Sequence, residues 1–352
     1  MKTIIHIVDN LKRGGAETLL LEVVKGLKQY CNLIVTLTND NDFTEQELDG
    51  LNIASLNFRS FKTLPFVVLR FRKLIAQYKP AFIHAHLPLS SLVARLARPV
   101  KVPLFISIHN NYSNSLKAVS PGLFLLEKLL HSKKEKLIFV SSAIQKDYET
   151  IIGIKGTSFV LYNFISDKYF DVSRAGGNKQ LDKIKLIAVG SFKPQKNFET
   201  LLEAFRLLDH KCFNLDIYGD GPLRKKLEDK ITQFSLYNIH LKGSVADIDR
   251  VLPHYDGFVL ASKYEGFGLA PLEAAAIGLP LLLSDIEVFK EVTQGYATFF
   301  SPTDANDIAE KLQNFKNNYK QAADGAITFK PSVKETYSKE SYMKRLDSIY
   351  KT

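Results

Sequence analysis

Two spacings of hydrophobic and polar positions alternate along the 352-residue chain. Short β-rich runs occupy 3–8, 33–38, 53–58, 82–84, 104–108, 137–140 and 159–161. Several are apolar on both faces, which predicts a parallel sheet covered by helices. Between them lie stretches of helical period. Residues 16–27 are amphipathic, and in 64–78 the side chains Val67, Val68, Phe71, Leu74, Ile75 and Tyr78 share one face behind Pro65, suited to a first turn.

The texture changes at 171–180, which is polar and glycine-rich and reads as a linker. The alternation then restarts, with strands expected at 185–189, 215–218, 239–242, 258–261, 281–284 and 297–300. Helices fit 198–208, 222–234, 271–277 and 305–317, and 337–350 reads as a last helix crossing back to the first domain. The expected fold class is α/β: two doubly wound, Rossmann-like domains facing a central cleft, with a ligand outside the carboxyl ends of both sheets. The expected bounds are 1–170 with the crossing helix 335–352, a linker 171–182, and a second domain 183–334.

Composition adds the charge. Hydrophobic residues make up 45% and charged residues 24%, an ordinary globular mix. No apolar run reaches the roughly 18 residues of a membrane span. The first residues are too short and too polar a stretch for a signal peptide, and Cys31 and Cys212 stand far apart. A cytoplasmic protein, soluble or peripheral on a membrane, is expected. The net charge of +10 is uneven: 1–170 carries 22 Lys and Arg against 13 Asp and Glu, the remainder 25 against 24. No acidic residue stands between Asp49 and Glu127, where ten basic ones do, Lys117 among them. One-sided charge suits an anionic partner. No recognised nucleic-acid module lies there, so an anionic membrane surface is the expected partner, reached by the basic amphipathic segment 116–137.

Three loops carry the candidate chemistry. After the strand 258–261, the segment 262–273 holds Glu265, Gly266, Phe267, Gly268, Leu269, Pro271 and Glu273. With Pro271 as the first helical residue, the amides of Gly268, Leu269 and Ala270 fall at a helix N-terminus, a natural anion site. Two carboxylates beside a phosphate accept hydrogen bonds from hydroxyls, as on a ribose and a sugar; the competing reading makes Glu273 a first-turn dipole cap. After the strand 185–189, Lys193 and Lys196 precede Asn197, which looks like an N-cap. After the first strand, Gly14 and Gly15 permit a tight turn without a GxGxxG or Walker pattern. His84 is read as a core residue satisfying the backbone, His86 as nearer the cleft, and His109 as a loop histidine. The pairs Asp40/Asp42 and Asp247/Asp249 look like loop and capping residues, so no essential metal is expected.

The ordered set Gly14-Gly-Ala-Glu17, His84-Ala-His86, Ser107-Ile-His109, Leu161-Tyr-Asn163, the Lys196 loop, Tyr218-Gly-Asp-Gly-Pro222 and Glu265-x7-Glu273 resembles retaining GT-B glycosyltransferases of the family four type. The resemblance implies a sugar moved from a nucleotide-sugar donor, UDP preferred, to a glycan or lipid-linked acceptor in surface polysaccharide synthesis. It implies that Glu273 binds ribose hydroxyls and that Glu265 binds the donor sugar with the amides of Phe267, Gly268 and Leu269. Lys196 then binds the pyrophosphate, Gly14 and Gly15 close over it, and His109 stands near the anomeric centre. There are two departures. Ser191 stands where the family has Arg, with Lys193 as a partial substitute, and Phe164 stands where Gly follows the Asn. A nucleotide-sugar epimerase and a catalytically silent binding homologue stay open as alternatives.

Overall fold

The computed structural model describes residues 1–115, 120–172 and 182–352. Most of the expected linker, and residues 116–119 with Lys117, lie outside the described residues. The chain forms two compact units: Met1–Asn163 with Tyr342–Thr352, and Phe164–Ser341. The divisions thus fall at 163/164 and 341/342.

The N-terminal unit holds a seven-stranded sheet of β1 (Lys2–Val8), β2 (Tyr30–Thr36), β3 (Asn52–Ser55), β4 (Phe82–His86), β5 (Leu104–Ile108), β6 (Glu135–Phe139) and β7 (Thr157–Val160). The order is β3-β2-β1-β4-β5-β6-β7, and the pairs are parallel. β4 and β5 are buried along their whole length, as central strands of a helix-covered parallel sheet are. The helix Leu64–Tyr78 buries Val67, Phe71 and Ile75, each worth roughly 1.5–3 kcal/mol when fully buried. Val68, Leu74 and Tyr78, on the margins of that face, stay partly exposed.

The second unit holds six strands: β8 (Ile184–Val189), β9 (Phe213–Tyr218), β10 (Ile239–Gly243), β11 (Gly257–Leu260), β12 (Leu281–Ser284) and β13 (Thr298–Phe300). Their order is β10-β9-β8-β11-β12-β13, again parallel. Both sheets reverse their winding once, between β1 and β4 and between β8 and β11. There the loops diverge to opposite faces and leave a crevice at the carboxyl ends.

The C-terminal region departs from the periodicity. A helix spans Tyr319–Tyr337 with Pro331 inside it, burying Ala326, Phe329, Val333 and Tyr337. Proline in a helix interior removes a hydrogen bond, so the sequence masks this helix. The Tyr337 hydroxyl donates to the Val292 carbonyl at 2.8 Å, which anchors its end. Ser338 is extended (φ −72°, ψ 151°), and a separate helix, Lys339–Tyr350, follows. The expected single helix from 337 therefore starts two residues later. Among the described residues, no helix is long and apolar enough to cross a membrane.

Candidate functional site

In the second unit the loops after β8 and β11 flank the reversal point. β8 ends at Val189, and a short 3-10 turn, Pro194–Lys196, leads into the helix Phe198–Arg206. Asn197 occupies the N-cap position but does not cap: its backbone is left-handed (φ 55°) and no cap bond forms. Its amide instead donates to the carbonyls of Ala261 (3.1 Å) and Pro302 (2.7 Å). It therefore fastens the β8 loop to the end of β11.

That fastening brings Lys196 to Glu265. The Lys196 ammonium donates to Glu265 Oε1 at 2.6 Å, and Ser262 Oγ donates to the same oxygen at 2.7 Å. Gln195 donates to Glu265 Oε2 at 3.3 Å and to the Tyr264 carbonyl at 2.9 Å. Glu265 is buried and its cation is only partly exposed, so a charge pair stands in a shielded position. Lys193 is exposed and, among the described residues, has no ion-pair partner. Ser191 is exposed, while Phe192 is fully buried against Phe198.

A neighbouring loop fixes this shape. Phe192 N–H donates to Asp220 O at 2.8 Å, and Leu223 N–H to Phe192 O at 3.1 Å. Gly219 and Gly221 have φ of 144° and 154°. A Cβ on Gly219 would strike the Gly190 carbonyl, and one on Gly221 would lie 2.8 Å from Phe192 N. The two glycines let one backbone lie on the other.

The helix Leu269–Ile277 begins behind Gly268, which is left-handed (φ 92°) and whose Cβ would meet the Phe289 ring at 2.8 Å. Pro271 is therefore the third helical residue and not the first. The amides at 268–270 still sit at the helix start, where N–H groups lack intrahelical partners. Glu273 falls in the second turn, so the dipole-cap reading fails. Burial raises its pKa to about 7, against a hydrogen bond with Tyr169 and the attraction of Lys168; Asp249 adds to the rise. Phe267 is buried against Tyr337, its ring 5.8 Å away.

In the N-terminal unit, Gly14 has φ −141° and precedes the helix Gly15–Gly26. This is extended backbone open to any residue; what crowds Gly14 is the Glu17 carboxylate, 2.5 Å from where a Cβ would be. His109 follows β5, stacked against His86 at 5.8 Å, with its Nε2 buried and unpartnered among the described residues. Burial lowers its pKa to about 4, so it is neutral at pH 7. His86 is buried, and His84 bonds side chains, the Tyr350 hydroxyl and Ser107, where a backbone partner was expected.

The Asp-x-Asp pairs are engaged differently. Asp40 pairs with Lys12 at 3.4 Å, and Asp42 accepts from the Arg13 amide. Asp249 pairs with Lys168 at 2.5 Å, and Asp247 makes no side-chain cap. Sequence reasoning missed Tyr169, Gln195 and Ser262, and it missed Asp9, which burial raises to about 6 while it accepts from the Ser90 amide at 2.8 Å. Asp9 alone had a signal, a carboxylate directly after an apolar strand.

The sequence pattern of "Glycosyltransferase Family 4" matches residues 13–169, and that of "Glycosyl transferases group 1" matches 170–326. The chain is 27% identical over 334 residues to the O-antigen biosynthesis glycosyltransferase WbnH of Escherichia coli, covering 93% of this chain and 94% of that one. It is 25% identical over 320 residues to the uncharacterized glycosyltransferase MJ1178 of Methanocaldococcus jannaschii, covering 87% and 85%. Among solved structures, Anabaena Alr3699/HepE in complex with UDP and glucose superimposes with a TM-score of 0.86 at 17% identity, covering 100% of both chains. Its fold is that of the GT-B glycosyltransferases.

Proposed function

Because the chain belongs to the glycosyltransferases of group 1 and family 4, we propose that it moves a sugar from a UDP-sugar to a glycan or lipid-linked acceptor of surface polysaccharide synthesis, with retention at the anomeric carbon. One observation carries this reading: Lys196 and Glu265, paired at 2.6 Å, share the β8/β11 reversal point with a helix N-terminus and Glu273. A cation and amides at a helix N-terminus suit a diphosphate, and two carboxylates suit hydroxyls. Glu273 takes the ribose. Glu265 takes the donor sugar, with the amides of Phe267, Gly268 and Leu269.

In the proposed reaction the bond from the anomeric carbon to the diphosphate breaks as an acceptor hydroxyl attacks from the same face. The departing phosphate accepts the hydroxyl proton. Lys196 and the helix N-terminus stabilise the leaving charge, preorganised where it develops. Lys193 stands in part for the missing Arg at Ser191. His109, neutral, is assigned to the acceptor side. The reading includes no divalent metal at the donor.

The test is transfer from UDP-sugars in EDTA, with the product anomer read by NMR. α-Linked product from an α-linked donor is expected, and none in Glu265→Ala with the fold intact. Inverted product, a need for Mg²⁺ or Mn²⁺, or isomerisation of the donor alone would overturn the respective part. UDP is favoured because the Anabaena protein is complexed with it, with GDP next; donor binding registers as a raised melting temperature.

The reading includes a cytoplasmic protein held peripherally on an anionic membrane. The helix Leu64–Tyr78 exposes Phe66 and Leu69 beside exposed Arg70 and Lys73. The helix Pro121–Leu130 is held by buried Glu127 on Arg95, and it exposes Leu125 and Leu129 beside Lys128. Each basic residue near such a surface contributes about 1 kcal/mol. Sedimentation with phosphatidylglycerol vesicles should be seen at low salt and lost at high salt. Failure to bind at low ionic strength would sink this part.

A further inference from the structure

The core of the N-terminal unit contains three histidines that the transfer chemistry does not use. β1 pairs with β4 so that His6 lies directly across from His84, and His86 follows two residues on along the same face. All three are buried, at 0%, 1% and 5% exposure. Their rings are close: His84–His86 at 4.1 Å, His6–His84 at 5.8 Å and His6–His86 at 5.9 Å. One nitrogen from each can be chosen so that all three lie within 4.8 Å of one another.

Among the described residues, the hydrogen bonds leave three of these six ring nitrogens without a partner. Asn32 donates its amide to the carbonyls of Leu27 (3.0 Å) and Tyr30 (3.4 Å), so its Oδ1 accepts from His6 Nε2 at 3.4 Å. The His6 proton is thereby placed on Nε2, and Nδ1 keeps a lone pair without a partner. Both nitrogens of His86 are also buried without partners. A buried polar atom left without a partner is destabilising and calls for an explanation such as a bound ion. Desolvation keeps all three imidazoles neutral at pH 7, the form that binds metals.

We propose that His6, His84 and His86 bind one divalent first-row transition-metal ion, with Zn²⁺ as the probe. Three imidazoles suit Zn, Cu, Ni or Fe and exclude the oxygen-seeking Mg²⁺ and Ca²⁺. Ligands about 2.0–2.1 Å from Zn stand roughly 3.3 Å apart in a tetrahedron, so small side-chain rotations close the site. His6 already has the outer contact that orients a ligating imidazole, through Asn32. His84 bonds the Tyr350 hydroxyl at 2.6 Å and Ser107 Oγ at 2.8 Å; it gives up one and keeps the other as its outer contact. Water takes the fourth position. The ion is structural and joins β1 to β4.

The test reads metal content and melting temperature, not activity. Chelator-treated full-length protein is dialysed against Zn²⁺, then against buffer. The wild type should hold about one ion per chain and melt higher with it. His6→Asn and His86→Asn, folded by circular dichroism, should bind at least tenfold more weakly, while His240→Asn, at an exposed position, should bind as the wild type does. Equal uptake by the wild type and His86→Asn, or no uptake by either, overturns the proposal. Should the variants fail to fold, Co²⁺ on the wild type decides: tetrahedral visible absorption supports the site, and its absence refutes it.

Discussion

Lys196→Ala should lower turnover roughly 10²–10³-fold with the fold intact, by analogy with the loss of one preorganised oxyanion donor. The fold is expected to survive because Glu265 keeps its bonds from Ser262 and Gln195. The loss should fall mainly on kcat, since the charge Lys196 meets grows as the diphosphate departs. Its stem lies on Gly190, where a Cβ would be 3.2 Å from Lys196 Cε. Gly190→Ala, which leaves the charge but crowds the stem, should therefore fall between the wild type and Lys196→Ala. Steady-state kinetics on both variants is the measurement, and an unchanged kcat in Lys196→Ala would remove this residue from the reaction.

Glu273→Gln should make the protein more stable and a poorer binder at the same time. The folded pKa of Glu273, about 7, stands above the ordinary 4.5. Its proton is held more tightly in the folded chain, so its contribution is complete below about 4.5, declines as pH rises and is gone above about 7. Glutamine carries no charge and escapes that decline. The variant should therefore gain at most about 3 kcal/mol over the wild type at pH 7.5 and almost nothing at pH 4. Melting temperatures at the two pH values measure it. Donor affinity should fall roughly 10–100-fold, the worth of a hydrogen bond to a charged acceptor. A variant that gains stability and still binds the donor equally well would leave Glu273 a buried carboxylate with no part in the ribose site.

Much of the architecture was legible because strands and amphipathic helices have distinct periods. The strands at 104–108 and 281–284 and the helices at 64–78 and 305–317 match the expected bounds. The helix Tyr319–Tyr337 was not legible, because Pro331 argues locally against what Phe329, Val333 and Tyr337 gain by burial. The site divides in the same way. Glu265, Gly268 and Lys196 sit in loops that punctuate strongly periodic segments, so position alone marked them. Tyr169 touches Glu273 across more than a hundred residues of sequence, and Ser262 earns its place only through Glu265 Oε1. The histidines show the limit most clearly: the spacing of His84 and His86 is local, but His6 joins them only through the crossover that sets β1 beside β4.

The chain leaves the N-terminal unit at Asn163 and returns to it at Tyr342. Tyr350, buried on that return, packs on Phe82 and Phe105 and bonds His84. Synthesis runs from the N-terminus, so the ribosome makes all of Phe164–Ser341 before supplying the segment that seals the first sheet. During translation the patch of Phe82, His84 and Phe105 that Tyr350 covers therefore stays open until after the second unit has been made.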